Sequence, residues 1–174
     1  MLDESLLVET SGGVRNAVIT LRRRGLQPPL RPRRIVLDNR DCAFRPHVQA
    51  VSLGSEVLLK NSDPILHTVH ARLGDQTLFN VGLPKWREVR KVLDRAGAIR
   101  IDCGVLHTWM SAVIVVSTSP YLAVTDQDGR FSVGPLPAGD YRLEVWHERL
   151  GTRGATVVVG EGTDTFLEVA YALP

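Results

Sequence analysis

Apolar and polar residues alternate one by one along most of this chain, as in His67, Thr68, Val69, His70 and Ala71, or Tyr141, Arg142, Leu143, Glu144 and Val145. That spacing turns one side of an extended strand toward a core and the other toward water, and no sustained helical period competes with it. Turn residues interrupt the pattern at short intervals, so the chain reads as all-β. Strands are expected over Val14 to Leu21, Arg34 to Leu37, His47 to Leu53, Glu56 to Lys60, His67 to Ala71 and Glu88 to Leu93. Further strands are expected over Ala98 to Cys103, Ser111 to Val116, Tyr141 to His147, Ala155 to Val159 and Thr165 to Ala170. Thr77 to Trp86 contains Gly82 and Pro84 and reads as loop.

The 174 residues allow one large domain or two small ones. With 21 basic and 19 acidic side chains the net charge is +2, which supplies no bulk field for nucleic acid. The arginines at 22, 23, 24, 31, 33 and 34 are broken up by Pro28, Pro29 and Pro32 and read as a solvated linker. The longest apolar run, Ala112 to Val116, is far too short to span a bilayer. Met1, Leu2, Asp3 and Glu4 do not open a signal peptide, so none is visible. Two cysteines, Cys42 and Cys103, fit a single bridge or a metal site, not a disulfide scaffold.

Near the C-terminus, Thr125, Asp126, Gln127, Asp128, Gly129, Arg130 and Phe131 precede Leu136, Pro137, Ala138, Gly139, Asp140 and Tyr141. Asp128 and Gly129 make a tight turn, Phe131 enters the core, and Pro137 to Gly139 turns the chain into the Tyr141 strand. The pattern resembles the carboxypeptidase regulatory-like, or transthyretin-like (prealbumin-like), β-sandwich. That family opens with a glycine and a strand of the kind seen from Gly13 to Leu21, here separated from the turn by a long middle segment. The resemblance implies a discontinuous outer domain, 1–33 with 118–174, holding an inserted domain at 34–117.

Within the insert, Cys103, His107 and Met110 place a thiol, an imidazole and a thioether in one short loop after a strand. Upstream, Asn61, Ser62, Asp63, Pro64, Ile65 and Leu66 lead from another strand to His67. Two histidines, a cysteine and a weak axial methionine form the donor set of a blue-copper centre. In this order the segments resemble the cupredoxin family over Arg34 to Ser117, with Phe44, Pro46, Val51, Gly54 and Val57 matching its first strands. The resemblance implies a Greek-key cupredoxin β-sandwich with one copper ion on His67, Cys103, His107 and Met110. The loop is also similar to half of a binuclear purple-copper site, but that site needs a cysteine where Ile99 stands, so a mononuclear centre is expected.

A one-electron carrier is the first functional expectation, with His107 as the electron exit among Pro64, Ile65, Leu66, Val105, Leu106 and Trp109. The family implies a c-type cytochrome or a terminal oxidase as redox partner, and a periplasmic or extracellular place. A copper storage, delivery or sensing module is the second reading, and a scaffold with a Cys42 to Cys103 disulfide the third. Cys42 is expected on a strand beside Phe44, close to the ligand loops, as outer neighbour or extra ligand if it is not bridged. His47 is placed away from the metal, and His70 on the face opposite His67. Trp146, His147 and Glu148 look like a segment of bacterial proteins that pair the two modules, some labelled methylamine utilisation proteins, and His147 is read as a packing residue. No Ser/His/Asp set or catalytic zinc pattern supports a hydrolase.

Overall fold

The structure, a computed structural model, describes residues 4–25, 28–104 and 109–171. Among these residues the elements are all strands: β1 (Val18–Arg23), β2 (Arg34–Arg40), β3 (Ala43–Arg45), β4 (Val48–Ser52), β5 (Glu56–Asn61), β6 (His67–Leu73), β7 (Gln76–Leu83), β8 (Glu88–Val92), β9 (Gly97–Asp102), β10 (Ser111–Ser117), β11 (Tyr121–Val124), β12 (Gly139–His147) and β13 (Gly151–Val159). No described helix is long and apolar enough to cross a membrane. Two compact units result, Met1–Pro29 with Ser119–Pro174, and Leu30–Thr118.

The first unit is a single antiparallel sheet in the order β11-β1-β12-β13. Its central strand β1 pairs Leu21 with both Tyr121 and Leu143, so the N-terminal strand lies between two strands from the far end of the chain. Ile19, Leu21, Tyr141, Leu143 and Val145 alternate inward and form the core with Tyr121, Val157 and Val159. Phe131, Leu136, Leu167 and Val169 pack against that core from outside the strands. Thr125 ties the unit's two chain segments together: its hydroxyl accepts from the Ala17 amide at 2.8 Å and donates to the Val14 carbonyl at 2.7 Å.

Asp126 organises the following turn, its carboxylate accepting from the amides of Asp128 and Arg130, both at 2.9 Å. Gly129 sits there at φ 75°, and a side chain at the facing Gly13 would run into the Asp128 carbonyl. No strand follows this turn, and Phe131 reaches the core from an irregular segment. Thr165 to Ala170 is likewise no strand: its alternation turns Leu167 and Val169 onto the core without a pairing partner.

Tyr171 closes this region, its hydroxyl donating to the Val145 carbonyl at 3.0 Å. Burial pushes its pKa up to about 12, against the opposing pull of Arg153. An unfolded tyrosine titrates near pH 10. Between the two values the folded chain keeps a proton that the unfolded chain has lost, so stability present below about pH 10 falls as pH rises toward 12. Tyr171→Phe is expected to flatten that part of the pH profile of urea midpoints, and an unchanged slope would contradict this origin.

The second unit contains two sheets, β4-β10-β9-β6-β7 and β3-β2-β5-β8. Two pairs, β2 with β5 and β4 with β10, are parallel, and the other pairs are antiparallel. Leu37, Phe44, Val57 and Leu59 from one sheet and Val69, Ile99, Ile101 and Ile114 from the other share one core, which makes a β-sandwich. The stretch expected to be loop at Thr77 to Trp86 is instead largely β7, an edge strand paired with β6 alone. Gly82 faces open space there, so the edge loses nothing by lacking a side chain. The short strand β11 was not marked by any run long enough to read, and β3 answers to the strand expected at Phe44 but begins only at Ala43.

Candidate metal centre

Sheet register gathers His67, Cys103 and Met110 at one end of the five-stranded sheet. Asp102 at the end of β9 lies opposite His70 of β6 and opposite Ser111 of β10. Cys103 follows directly after β9, and Met110 directly precedes β10. His67, Cys103 and Met110 are all buried, and Cys103 and Met110 belong to the shared core. His107 lies outside the described residues.

The loop before His67 is built by Asn61, which is fully buried. Its amide group donates to the carbonyls of Ile65 and Leu83, both at 2.8 Å, and its side-chain oxygen accepts from the Asp63 amide at 2.9 Å. This Asx-type turn satisfies the buried backbone and fixes where β6 begins. Asp63 then accepts from the amides of Asp41 at 2.8 Å and Cys42 at 3.0 Å. Its second oxygen also meets His67 Nε2 at 2.8 Å.

Burial works against ionisation of Asp63, but the amide hydrogen bonds from Cys42 and Asp41 and the contact with His67 outweigh it and hold the carboxyl below its usual range. The carboxylate thus holds the His67 ring by Nε2, which turns Nδ1 toward Cys103 Sγ, 4.0 Å away. The sulfur also accepts from the Thr68 amide at 3.5 Å and its hydroxyl at 3.8 Å. In turn the Thr68 hydroxyl accepts from the Gly104 amide at 2.8 Å, which ties the start of the Cys103 loop to β6.

Cys42 does not lie on a strand beside Phe44. It is the second residue of the two-residue turn joining β2 to β3, where Arg40 pairs with Ala43 and both Asp41 and Cys42 take left-handed φ, 56° and 52°. Such turns favour Asn-Gly, and a cysteine there costs about 1 kcal/mol or more. Burial, then the charges of Asp63, Asp41 and Cys103, push its thiol pKa up. Cys42 and Cys103 are not joined by a disulfide, so the bridge of the scaffold reading is not formed. The Cys42 sulfur, an Asp63 oxygen and a His67 nitrogen lie within 4.8 Å of one another.

The other histidines have their own partners. His47 meets the Ser111 carbonyl through Nδ1 at 3.0 Å. His70 lies between Asp102 at 3.3 Å and Thr77 at 2.9 Å, partly buried on a sheet face where Arg72 also holds Asp102. His147 accepts from the amides of Arg149 and Leu150 at 3.2 and 3.4 Å, and packs edge-on against Tyr171. Sequence reasoning missed Asp63 and Thr68. The signal for Asp63 was the carboxylate one helical-type spacing before His67, which a loop turned into a contact.

No protein-family model and no curated protein matches the chain. Among solved structures, a reduced amicyanin variant is similar at 23% identity and TM-score 0.43, over 48% of this chain and 81% of that one. A purple cupredoxin from Nitrosopumilus maritimus is 20% identical with TM-score 0.41, over 48% of this chain and 98% of that one. A copper-containing nitrite reductase from Thermus scotoductus is 18% identical with TM-score 0.45, over 55% of this chain and 25% of that one.

Proposed function

We propose that the chain is a copper protein of cupredoxin type, with one ion held by His67, Cys103, His107 and Met110, that acts as a one-electron carrier. The observation that carries this reading is the buried His67 ring, its Nδ1 turned to Cys103 Sγ at 4.0 Å while Nε2 is tied to Asp63. That distance is too long for a strong hydrogen bond. It suits a shared ion, since metal to nitrogen and metal to sulfur bonds of about 2.0 and 2.3 Å at a wide angle span about 4 Å. Thiolate, imidazole and thioether together favour copper, which when bound supplies a one-electron couple.

The protein's own part is to keep that geometry rigid. Asp63 holds the ring orientation, as carboxylate partners of ligating histidines do. Thr68 stabilises sulfur charge through two donors, and the buried thioether of Met110 closes the core side. Ile65, Leu66 and Trp109, 42%, 47% and 51% exposed, offer apolar surface for brief docking of a redox protein, with a c-type cytochrome or terminal oxidase as the class expected. Such a role belongs in the periplasm or outside the cell. The outer unit is read as a carboxypeptidase regulatory-like module, supported by the Asp126 turn and by the Tyr141 hydroxyl donating to the Pro137 carbonyl at 2.7 Å.

Titration with cupric ion tests this reading. One ion per chain should bind and produce an intense visible sulfur-to-copper band, and copper bound without such a band would overturn it. Met110→Leu should keep the band and raise the reduction potential, because the axial donor that stabilises the oxidised ion is lost. Redox titration reads that shift.

A further inference from the structure

We propose that Cys42, Asp63 and His67 form a second metal position, which takes a divalent ion of the zinc type on Nε2 of the His67 ring. This does not rest on the copper reading, although both use the same imidazole. The Cys42 sulfur, an Asp63 oxygen and a His67 nitrogen already lie within 4.8 Å of one another in side chains that are buried or partly buried, and Nε2 is the nitrogen that meets Asp63, at 2.8 Å. A tetrahedral zinc site spaces sulfur, nitrogen and oxygen ligands at about 3.4 to 3.6 Å, so a side-chain movement of about 1 Å closes the set. Thiolate, carboxylate and imidazole are the ligands zinc takes, and three of them leave a fourth position open.

One feature of the chain favours a cation here. The Asp41 and Cys42 amides, both in the turn, hold the Asp63 carboxylate beside the Cys42 thiol.

Charge and protons balance. The ion displaces the Cys42 thiol proton to solvent and forms a metal–sulfur bond. His67 bound through Nε2 carries its one ring proton on Nδ1, so the ring stays neutral. One divalent cation with one thiolate and one carboxylate leaves no net charge to bury. Because Nδ1 then carries the proton and faces Cys103, the second position excludes an ion between His67 Nδ1 and Cys103.

Cobalt(II), a spectroscopic stand-in for zinc, tests the site in Cys103→Ser protein, where only Cys42 can give a sulfur-to-cobalt band. One cobalt per chain with that band is expected, and the band should vanish in Cys42→Ser/Cys103→Ser. A folded Cys103→Ser protein without the band would overturn the proposal. Should that variant not fold, wild-type protein carries the test through alkylation mapped by mass. Zinc should slow modification of Cys42 at least tenfold, and equal modification with and without zinc would overturn the site. Zinc preloading should also weaken cupric binding by tenfold or more, and an unchanged affinity would overturn the exclusion. A failure of the copper reading would show separately, as a missing visible band in zinc-free wild type.

Discussion

The Cys103→Ser variant is expected to lose the intense visible band of the copper-loaded protein entirely. The sulfur is the charge donor of that transition, and a serine hydroxyl neither ionises near neutral pH nor matches a soft ion. Cupric affinity should drop by at least about a hundredfold, the upper end of what even an outer partner of a ligand costs. Chelator competition measures the affinity. The fold should survive, because the change leaves the volume of a buried residue almost the same and the new hydroxyl has Thr68 within reach. A surviving band would move the centre to Cys42.

Asp63→Ala should destabilise the chain by about 2–4 kcal/mol, since the Asp41 and Cys42 amides and His67 Nε2 all lose their acceptor in a mostly buried setting. The same change frees the His67 ring, so copper affinity should fall about ten- to a hundredfold. Asp63→Asn keeps one acceptor oxygen and should fall between the two proteins. Urea midpoints read the stability. A loss under about 0.5 kcal/mol would mean that the loop holds itself without the carboxylate.

The all-β reading was legible because alternation is a direct record of which side chains face a core. It does not record hydrogen-bond partners. Leu167 and Val169 alternate inward like strand residues, yet their backbone pairs with nothing in the sheet. The edge strand β7 shows the converse: it is paired with β6 on both sides of a bulge, but its exposure blurs the alternation, and Gly82 and Pro84 read as breakers. His67, Cys103 and Met110 could be picked out because donor chemistry is carried by residue type. Asp63 could not, since an aspartate before a proline reads as an ordinary turn until Asn61 bends the loop and brings the carboxylate back to the ring. Cys42 was misplaced onto a strand because Asp-Cys does not look like the Asn-Gly pair that a left-handed two-residue turn prefers.

The placement of β1 between β11 and β12 bears on how the chain is made. On a ribosome β1 emerges before β11 and β12, and these neighbours do not exist until the whole of Leu30–Thr118 has followed it. The ends of that segment converge on one turn, where the Glu56 amide donates to the Arg33 carbonyl at 3.0 Å and the Leu53 amide donates to the Ser117 carbonyl at 2.8 Å. Once the segment folds, β1 and β11 are delivered to each other and the cost of closing a long loop has already been met. The folded sandwich thus holds the two ends of its own segment close together. Damage to its core should slow the joining of the two distant chain ends, and leave β1 exposed as an unpaired edge for longer.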